Sequence, residues 1–231
     1  MTFSLVARCA ETGMFGIAIS SSSPAVAARC AHLRASVGAV ASQNVTDPRL
    51  GPITLDHLAA GLSAQEALQK TSEGRAFMEY RQLLVVDREG QSAIHSGGQV
   101  LGIWGEARAD NVAAGGNLLA NDRVPDAIVE GFLAARGHLG DRLIAAMQAG
   151  LAAGGEAGPV HSAGLKIVDH EDFAIADLRV DWSETCPIRA LSDLWALYKP
   201  QIDAYVQRAL NPGLAPSYGV AGETRQGPET R

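Results

Sequence analysis

Thr2-Phe3-Ser4-Leu5-Val6-Ala7-Arg8, with Met14–Ser21 returning after the turn Glu11-Thr12-Gly13, is the stretch on which the fold turns. Both arms, Thr2–Cys9 and Met14–Ser21, are rich in β-formers and predict an antiparallel hairpin. Its first residue follows the initiator Met1 directly. With Met1 removed, Thr2 would carry a hydroxyl and a free α-amine on one residue. A hydroxyl is a weak nucleophile until a base takes its proton. An α-amine, with a pKa of about 7.7–8.0, can do so without a histidine. The plain alternative is that small residues often follow an initiator Met and that threonine suits strands.

Working outward, further hairpins are expected at Tyr80–Val86 with Gln91–His95, and at His161–Val168 with Phe173–Val180. Single strands are expected over Ser36–Gln43 and from Asn111 into Gly115-Gly116-Asn117. Helices are expected over Pro52–Ala60, Ser63–Ser72, Val124–Arg136, Leu139–Ala153 and, as one long element, Pro187–Leu210. Ser63-Ala64-Gln65-Glu66 reads as a capping box. Ser23 before Pro24 can cap a short helix. Hairpins imply antiparallel sheets, and the helix pairs between them can cover outer faces. The order therefore predicts an α+β fold, a four-layer αββα sandwich, rather than the alternation of a parallel α/β sheet. One domain is expected over residues 1–210, followed by an irregular Gly- and Pro-rich tail over 211–231.

Composition narrows the partners. A net charge of −6 without a basic stripe argues against nucleic acid. No apolar run is long enough to span a bilayer, and no signal peptide is evident, so a cytoplasmic protein is expected. Cys9, Cys30 and Cys186 are odd in number and share no metal spacing, and no other metal or phosphate-loop motif is present. No cofactor or metal is expected. The last helix makes a homodimer the expected assembly.

Four segments together resemble a known family: MTFSLVAR at the start, GAVASQNVTDPRLGPITLDHLAAGLSAQEAL from Gly38, AAGGNLLA from Ala113, and DLRVD from Asp177. They resemble the bacterial domain of unknown function 1028 family over about residues 1–200. That resemblance implies the N-terminal-nucleophile (Ntn) hydrolase-like fold, an αββα sandwich whose nucleophile is the first residue of the mature chain. Here that position is Thr2. The implied reaction is attack of the Thr2 hydroxyl on an amide carbonyl, an acyl-enzyme, and its hydrolysis, with the amine as base and then acid.

The remaining site candidates are weighed against structural roles. The Gly116 backbone and Asn117, with Gly115, can form an oxyanion hole, or simply a strand-to-helix turn. The hydroxyls of Ser20–Ser23, Ser22 first among them, can bind the Thr2 amine or substrate, or merely cap and form a turn. Gln43 and Asn44 can bind a substrate amide, or stabilise the turn before Asp47-Pro48. Ser4 and Arg8 share the Thr2 face of the first strand, and Arg8 is the nearest sequence candidate for a cation beside the nucleophile. Asp177, Arg179 and Asp181 alternate and read best as a surface ion-pair ladder. A triad through His95-Ser96 or His161-Ser162 is disfavoured, since adjacent strand residues face opposite ways. The expected function is hydrolysis of a C–N bond in a small amide. A cyclohydrolase-like enzyme without a terminal nucleophile, or a non-catalytic binding protein on the same scaffold, are the competing readings.

Overall fold

The computed structural model describes residues 1–223, so residues 224–231 of the expected tail lie outside the described part. The hairpin β1 (Thr2–Arg8) and β2 (Phe15–Ser21) opens the fold. It is followed by α1 (Val26–Cys30), β3 (Ala31–Arg34), β4 (Gly38–Asn44), α2 (Leu50–Ala59) and α3 (Ala64–Ser72). The hairpins β5 (Arg81–Asp87) with β6 (Ser92–Ser96) and β7 (Gly105–Ala109) with β8 (Val112–Asn117) come next. Then come α4 (Val124–Ala134), α5 (Leu139–Ala152), the hairpin β9 (Ser162–Val168) with β10 (Ala174–Val180), α6 (Pro187–Tyr198) and α7 (Ile202–Leu210).

Two antiparallel sheets result: six strands in the order β10-β9-β2-β1-β8-β7, and four in the order β3-β4-β5-β6. Strand alternation sorts the side chains into layers. Phe3, Leu5 and Ala7 point outward from the larger sheet into the core made with α4, α5 and α6, where Phe132, Leu143 and Met147 are buried. Val40, Leu83 and Val85 point outward from the smaller sheet onto Leu55, Leu58 and Leu68 of α2 and α3. Val6, Phe15, Ile17 and Ala113 meet Ala39, Ala41, Leu84 and Val86 between the sheets. The layers are thus helix, sheet, sheet, helix, as expected. Among the described residues no helix is long and apolar enough to cross a membrane.

The departures from the sequence reading are local. The long last helix is broken: Lys199–Gln201 is a 3₁₀ turn around Pro200, which separates α6 from α7. Proline removes an amide donor and crowds the preceding turn. Two strands, β3 and β7, have no counterpart in the expectations. Ser23 does not cap α1, whose first turn starts from Ala25 with a left-handed φ of 50°. Ser162 serves instead, its Oγ accepting from Val26 N at 3.3 Å and donating to Ser23 O at 2.6 Å. The Ser63/Glu66 capping box is present as read.

Candidate active site

Thr2, Ser4, Val6 and Arg8 share the inter-sheet face of β1, so their character decides what fills the space between the sheets. Val6 joins the apolar layer. Ser4 and Thr2 turn its end near the start of β1 polar. Thr2 is 6% exposed and sits between β8 and the end of β2, paired with Asn117 on one side. On the other side Ser21 Oγ lies 3.4 Å from Thr2 Oγ1. Both hydroxyls converge on one carbonyl: Thr2 Oγ1 and Ser21 Oγ each donate to Met1 O at 2.5 Å. Ser21 Oγ also accepts Ser23 N at 3.0 Å, which fixes its position.

Beneath this pair runs a buried polar network. Ser4 Oγ donates to Gln43 Oε1 at 2.6 Å, and Gln43 Nε2 donates to Gln82 Oε1 at 2.9 Å and to Gly115 O at 3.2 Å. Asn117 Nδ2 donates to the same Gln82 oxygen at 3.3 Å. Gln82 Nε2 in turn donates to Ser96 Oγ at 3.0 Å and Gly116 O at 3.3 Å. Gln43 and Gln82 are wholly buried. Buried amides of this kind are stable only when their groups are paired, and a closed network fixes each side chain in one orientation.

A carboxyl completes the site. Glu156, in the segment after α5, is 5% exposed and accepts Ser22 N at both oxygens, at 3.2 and 3.1 Å. Burial pushes its pKa up to about 7, while the charge of the Met1 α-amine and the Ser22 hydrogen bonds pull it back. Glu156 therefore lies near enough to the chain terminus for its charge to be felt.

The family model for the domain of unknown function 1028, described only as a family of unknown function, matches residues 2–191. The chain belongs to that family. A crystal structure of a Silicibacter pomeroyi protein matched to the same family superposes on this DUF1028 chain with a TM-score of 0.79 and 29% identity, covering 85% of this chain and 88% of the other. Two looser likenesses are to Anbu, an ancestral β-subunit. The Yersinia bercovieri protein has a TM-score of 0.40 at 10% identity, covering 89% of this chain and 97% of that one. A Gly-1 mutant from Hyphomicrobium sp. strain MC1 has 0.38 at 12% identity, covering 90% and 100%. Both are too distant to bear on the chemistry. Among curated proteins, none matches the sequence.

The structure gathers Thr2, Ser4, Gln43 and Asn117 of this DUF1028 protein at one place, and separates others from it. Arg8 lies at the far end of β1, six residues from Thr2 or about 20 Å at strand rise, where its Nη1 donates to Asn111 Oδ1 at 3.2 Å. It stands beside no nucleophile. Asn44 is a turn former: its φ is 71°, its Nδ2 donates to Tyr80 O at 2.7 Å, and its Oδ1 accepts Leu101 N at 3.3 Å. Gly115 and Gly116 are not in a turn but inside β8, which is paired on both edges, with β1 and with β7. Close packing explains them: a Cβ at Gly115 would stand 2.9 Å from Leu84, and one at Gly116 would stand 2.6 Å from Leu119. At the carbonyl before Thr2 the donor from another strand is Ser21 Oγ, while the Asn117 amide, paired across from Thr2, donates to Gln82.

Of the serines, Ser22 meets the site through its contact with Glu156, and Ser21 is the one that faces Thr2. Asp177 forms ion pairs with Lys166 of β9 at 3.4 Å and with Arg179 of β10 at 3.9 Å, while Asp181, the third residue expected in the ladder, lies past the end of β10. His95 Nε2 bonds Met78 O at 2.9 Å, and His161 Nδ1 bonds Ser183 O at 2.9 Å while its ring stacks on Trp182. Neither engages a serine hydroxyl. Sequence reasoning held Ser21 only as one of Ser20–Ser23, and missed Gln82 and Glu156. The alternation of β2 carried a signal for Ser21, since it shares a face with Phe15, Ile17 and Ile19. Glu156 sits in a glycine-rich loop with no spacing to mark it.

Proposed function

We propose that this chain is an amide hydrolase in which Thr2, freed of Met1, is the nucleophile. One observation supports it above the rest: Thr2 Oγ1 and Ser21 Oγ converge on the oxygen of the Met1 carbonyl, whose carbon is bonded to the Thr2 nitrogen. An acyl group at this position therefore meets a hydroxyl nucleophile and a hydroxyl donor together. The Thr2 amine takes the hydroxyl proton as Oγ1 attacks, and the same proton goes to the leaving amine. Ser21 Oγ and Asn117 Nδ2 are the donors for the oxygen on which charge develops. Gln43 and Gln82 keep Ser4 and Asn117 in place. Water then cleaves the acyl-threonine ester. The substrate in this reading is a small amide, the setting is cytoplasmic, and the assembly is a homodimer.

Intact mass of protein from the native host tests the first requirement. Loss of the Met1 mass is expected, and a chain that retains it has no free Thr2 amine and cannot work this way. The second test is Thr2→Ala, in protein starting at residue 2, against a panel of amides and ureides. A loss of about 10³-fold or more in kcat is expected for removal of a nucleophile. Equal turnover by both proteins would move the nucleophile elsewhere.

A further inference from the structure

Met1 is half-buried, and its carbonyl, its charge and its thioether act on different groups. Its carbonyl oxygen accepts from Ser21 Oγ and Thr2 Oγ1, at 2.5 Å each. Its α-ammonium makes no ion pair with Glu156, but its charge lies near enough to act on that buried carboxylate. Its thioether lies along Gly158, where a Cβ would come within 3.3 Å of Met1 Cε and 3.8 Å of Sδ. Glu156 and Gly158 also line a cleft of about 310 Å³ with Leu151, Pro159, Val160 and Thr185. A buried carboxylate needs a cation or protons to offset its desolvation. Ser22 supplies Glu156 with hydrogen bonds but no charge.

We propose that the space filled by Met1 is the subsite for the acyl half of the substrate, and that the substrate is an α-aminoacyl amide with a free amino group and an extended apolar side chain. This rests on the Thr2 reading given above. The acyl carbon bonded to the Thr2 nitrogen in the Met1 form and the one bonded to Oγ1 in an acyl-enzyme hang from the two arms of the same Cα–Cβ unit. The acyl carbon thus moves only from one arm of that unit to the other between the two states. In the reaction, Oγ1 bonds the substrate carbonyl carbon while its proton passes to the Thr2 amine. The C–N bond breaks and the leaving amine takes that proton. Water adds to the ester and gives its proton through the amine to Oγ1, and the C–Oγ1 bond breaks to free the amino acid. Glu156 holds the substrate ammonium, and Gly158 leaves room for the side chain.

The probes are L-methioninamide, its N-acetyl derivative and L-alaninamide, offered at pH 8 to protein that begins at Thr2, with ammonia release as the readout. The expected result is a preference of at least 10-fold in kcat/KM for methioninamide over N-acetylmethioninamide. Glu156→Gln should collapse it by raising KM for the free amine only. Gly158→Val should raise KM for methioninamide and spare alaninamide. If Thr2-dependent cleavage is equal for the acetylated and free amides, the subsite proposal falls and the hydrolase reading stands. If Glu156→Gln slows both equally, Glu156 serves the Thr2 amine instead and the proposal also falls. If neither amide is cleaved, the hydrolase reading is in difficulty and calorimetric titration decides the subsite. Binding of methioninamide but not its acetyl form upholds it, and binding of neither overturns it. The substrate pair is read on the unsubstituted chain, so a variant that fails to fold does not obscure the result.

Discussion

Gln82 is the residue on which the candidate site leans most. Its side-chain oxygen accepts from both Gln43 and Asn117, and its amide reaches Ser96 and the Gly116 carbonyl. Gln82→Leu removes that shared acceptor, which leaves Asn117 Nδ2 without the partner shown here and Gln43 Nε2 with Gly115 O alone. Each buried group left without a partner costs about 1–3 kcal/mol. A loss of roughly 2–3 kcal/mol is expected, or about 5–10 °C in Tm for a chain of this size, measured by thermal unfolding. Replacing Gln43 by Leu as well should cost less than the sum of the single changes, because the two share one bond. Glu156 gives a prediction of opposite sign. Its pKa rises from the ordinary 4.5 to about 7 on folding. Between those values the folded chain holds a proton that the unfolded chain has lost, so stability falls as pH rises through this window and levels off above it. The full difference corresponds to about 3 kcal/mol. In protein that retains Met1, Glu156→Gln keeps an acceptor for Ser22 N and removes the ionisation. It should flatten the stability–pH curve across the window and be the more stable protein at pH 8. Denaturant titrations at pH 5 and pH 8 measure both effects, and parallel curves for the two proteins would exclude this origin for the carboxyl's shift.

At the level of elements, what could be read in advance was what local chemistry dictates. The Ser63/Glu66 box starts α3, and the opening hairpin alternates as quoted. Two strands escaped notice because their existence depends on a partner. β3 and β7 are edge strands of four and five residues, with His32, Arg34, Glu106 and Arg108 among them. Little in such segments favours extended structure until a neighbouring strand offers a ladder, and charges there protect an open edge. The break between α6 and α7 was different. Pro200 was visible, but apolar periodicity on either side suggested one continuous helix. The contact between α5 and α6 is tighter than the sequence suggests. A Cβ at Gly140 would lie 2.3–2.7 Å from ring atoms of Trp195, whose Nε1 donates to Asp141 Oδ1 at 2.8 Å. Gly140→Ala should therefore push α6 outward. Overpacking of this kind costs about 1–3 kcal/mol, and Trp195 fluorescence reports the displacement along with the fall in stability.

For the whole molecule, the site is a product of how two sheets meet. Thr2 could be picked out from its position alone, and Ser4 from its face. Ser21 and Asn117 come from β2 and β8, which flank β1 in its own sheet, Gln82 from β5 of the other sheet, and Glu156 from the loop after α5, so strand pairing and sheet stacking together bring them to one mouth. No spacing in one sequence encodes such a meeting, because each pair is separated by most of a hairpin or more. The same stacking sets the order in which the molecule opens. β1, β2 and β8 are interior strands, paired on both edges and covered on one face by α5 or α4 and on the other by the smaller sheet. β10, β7, β3 and β6 are edges. Interior amides exchange only when the domain opens globally, whereas edge strands exchange through smaller openings. Native-state hydrogen exchange should therefore find Leu5, Ala18 and Ala114 slowest, with a common opening free energy equal to that of global unfolding. Amides of Arg34 and Ala107 should exchange sooner. If β1 instead exchanged as fast as the edges, the mouth would open without unfolding, and the hydroxyl pair at Thr2 and Ser21 would not be held ready for a substrate.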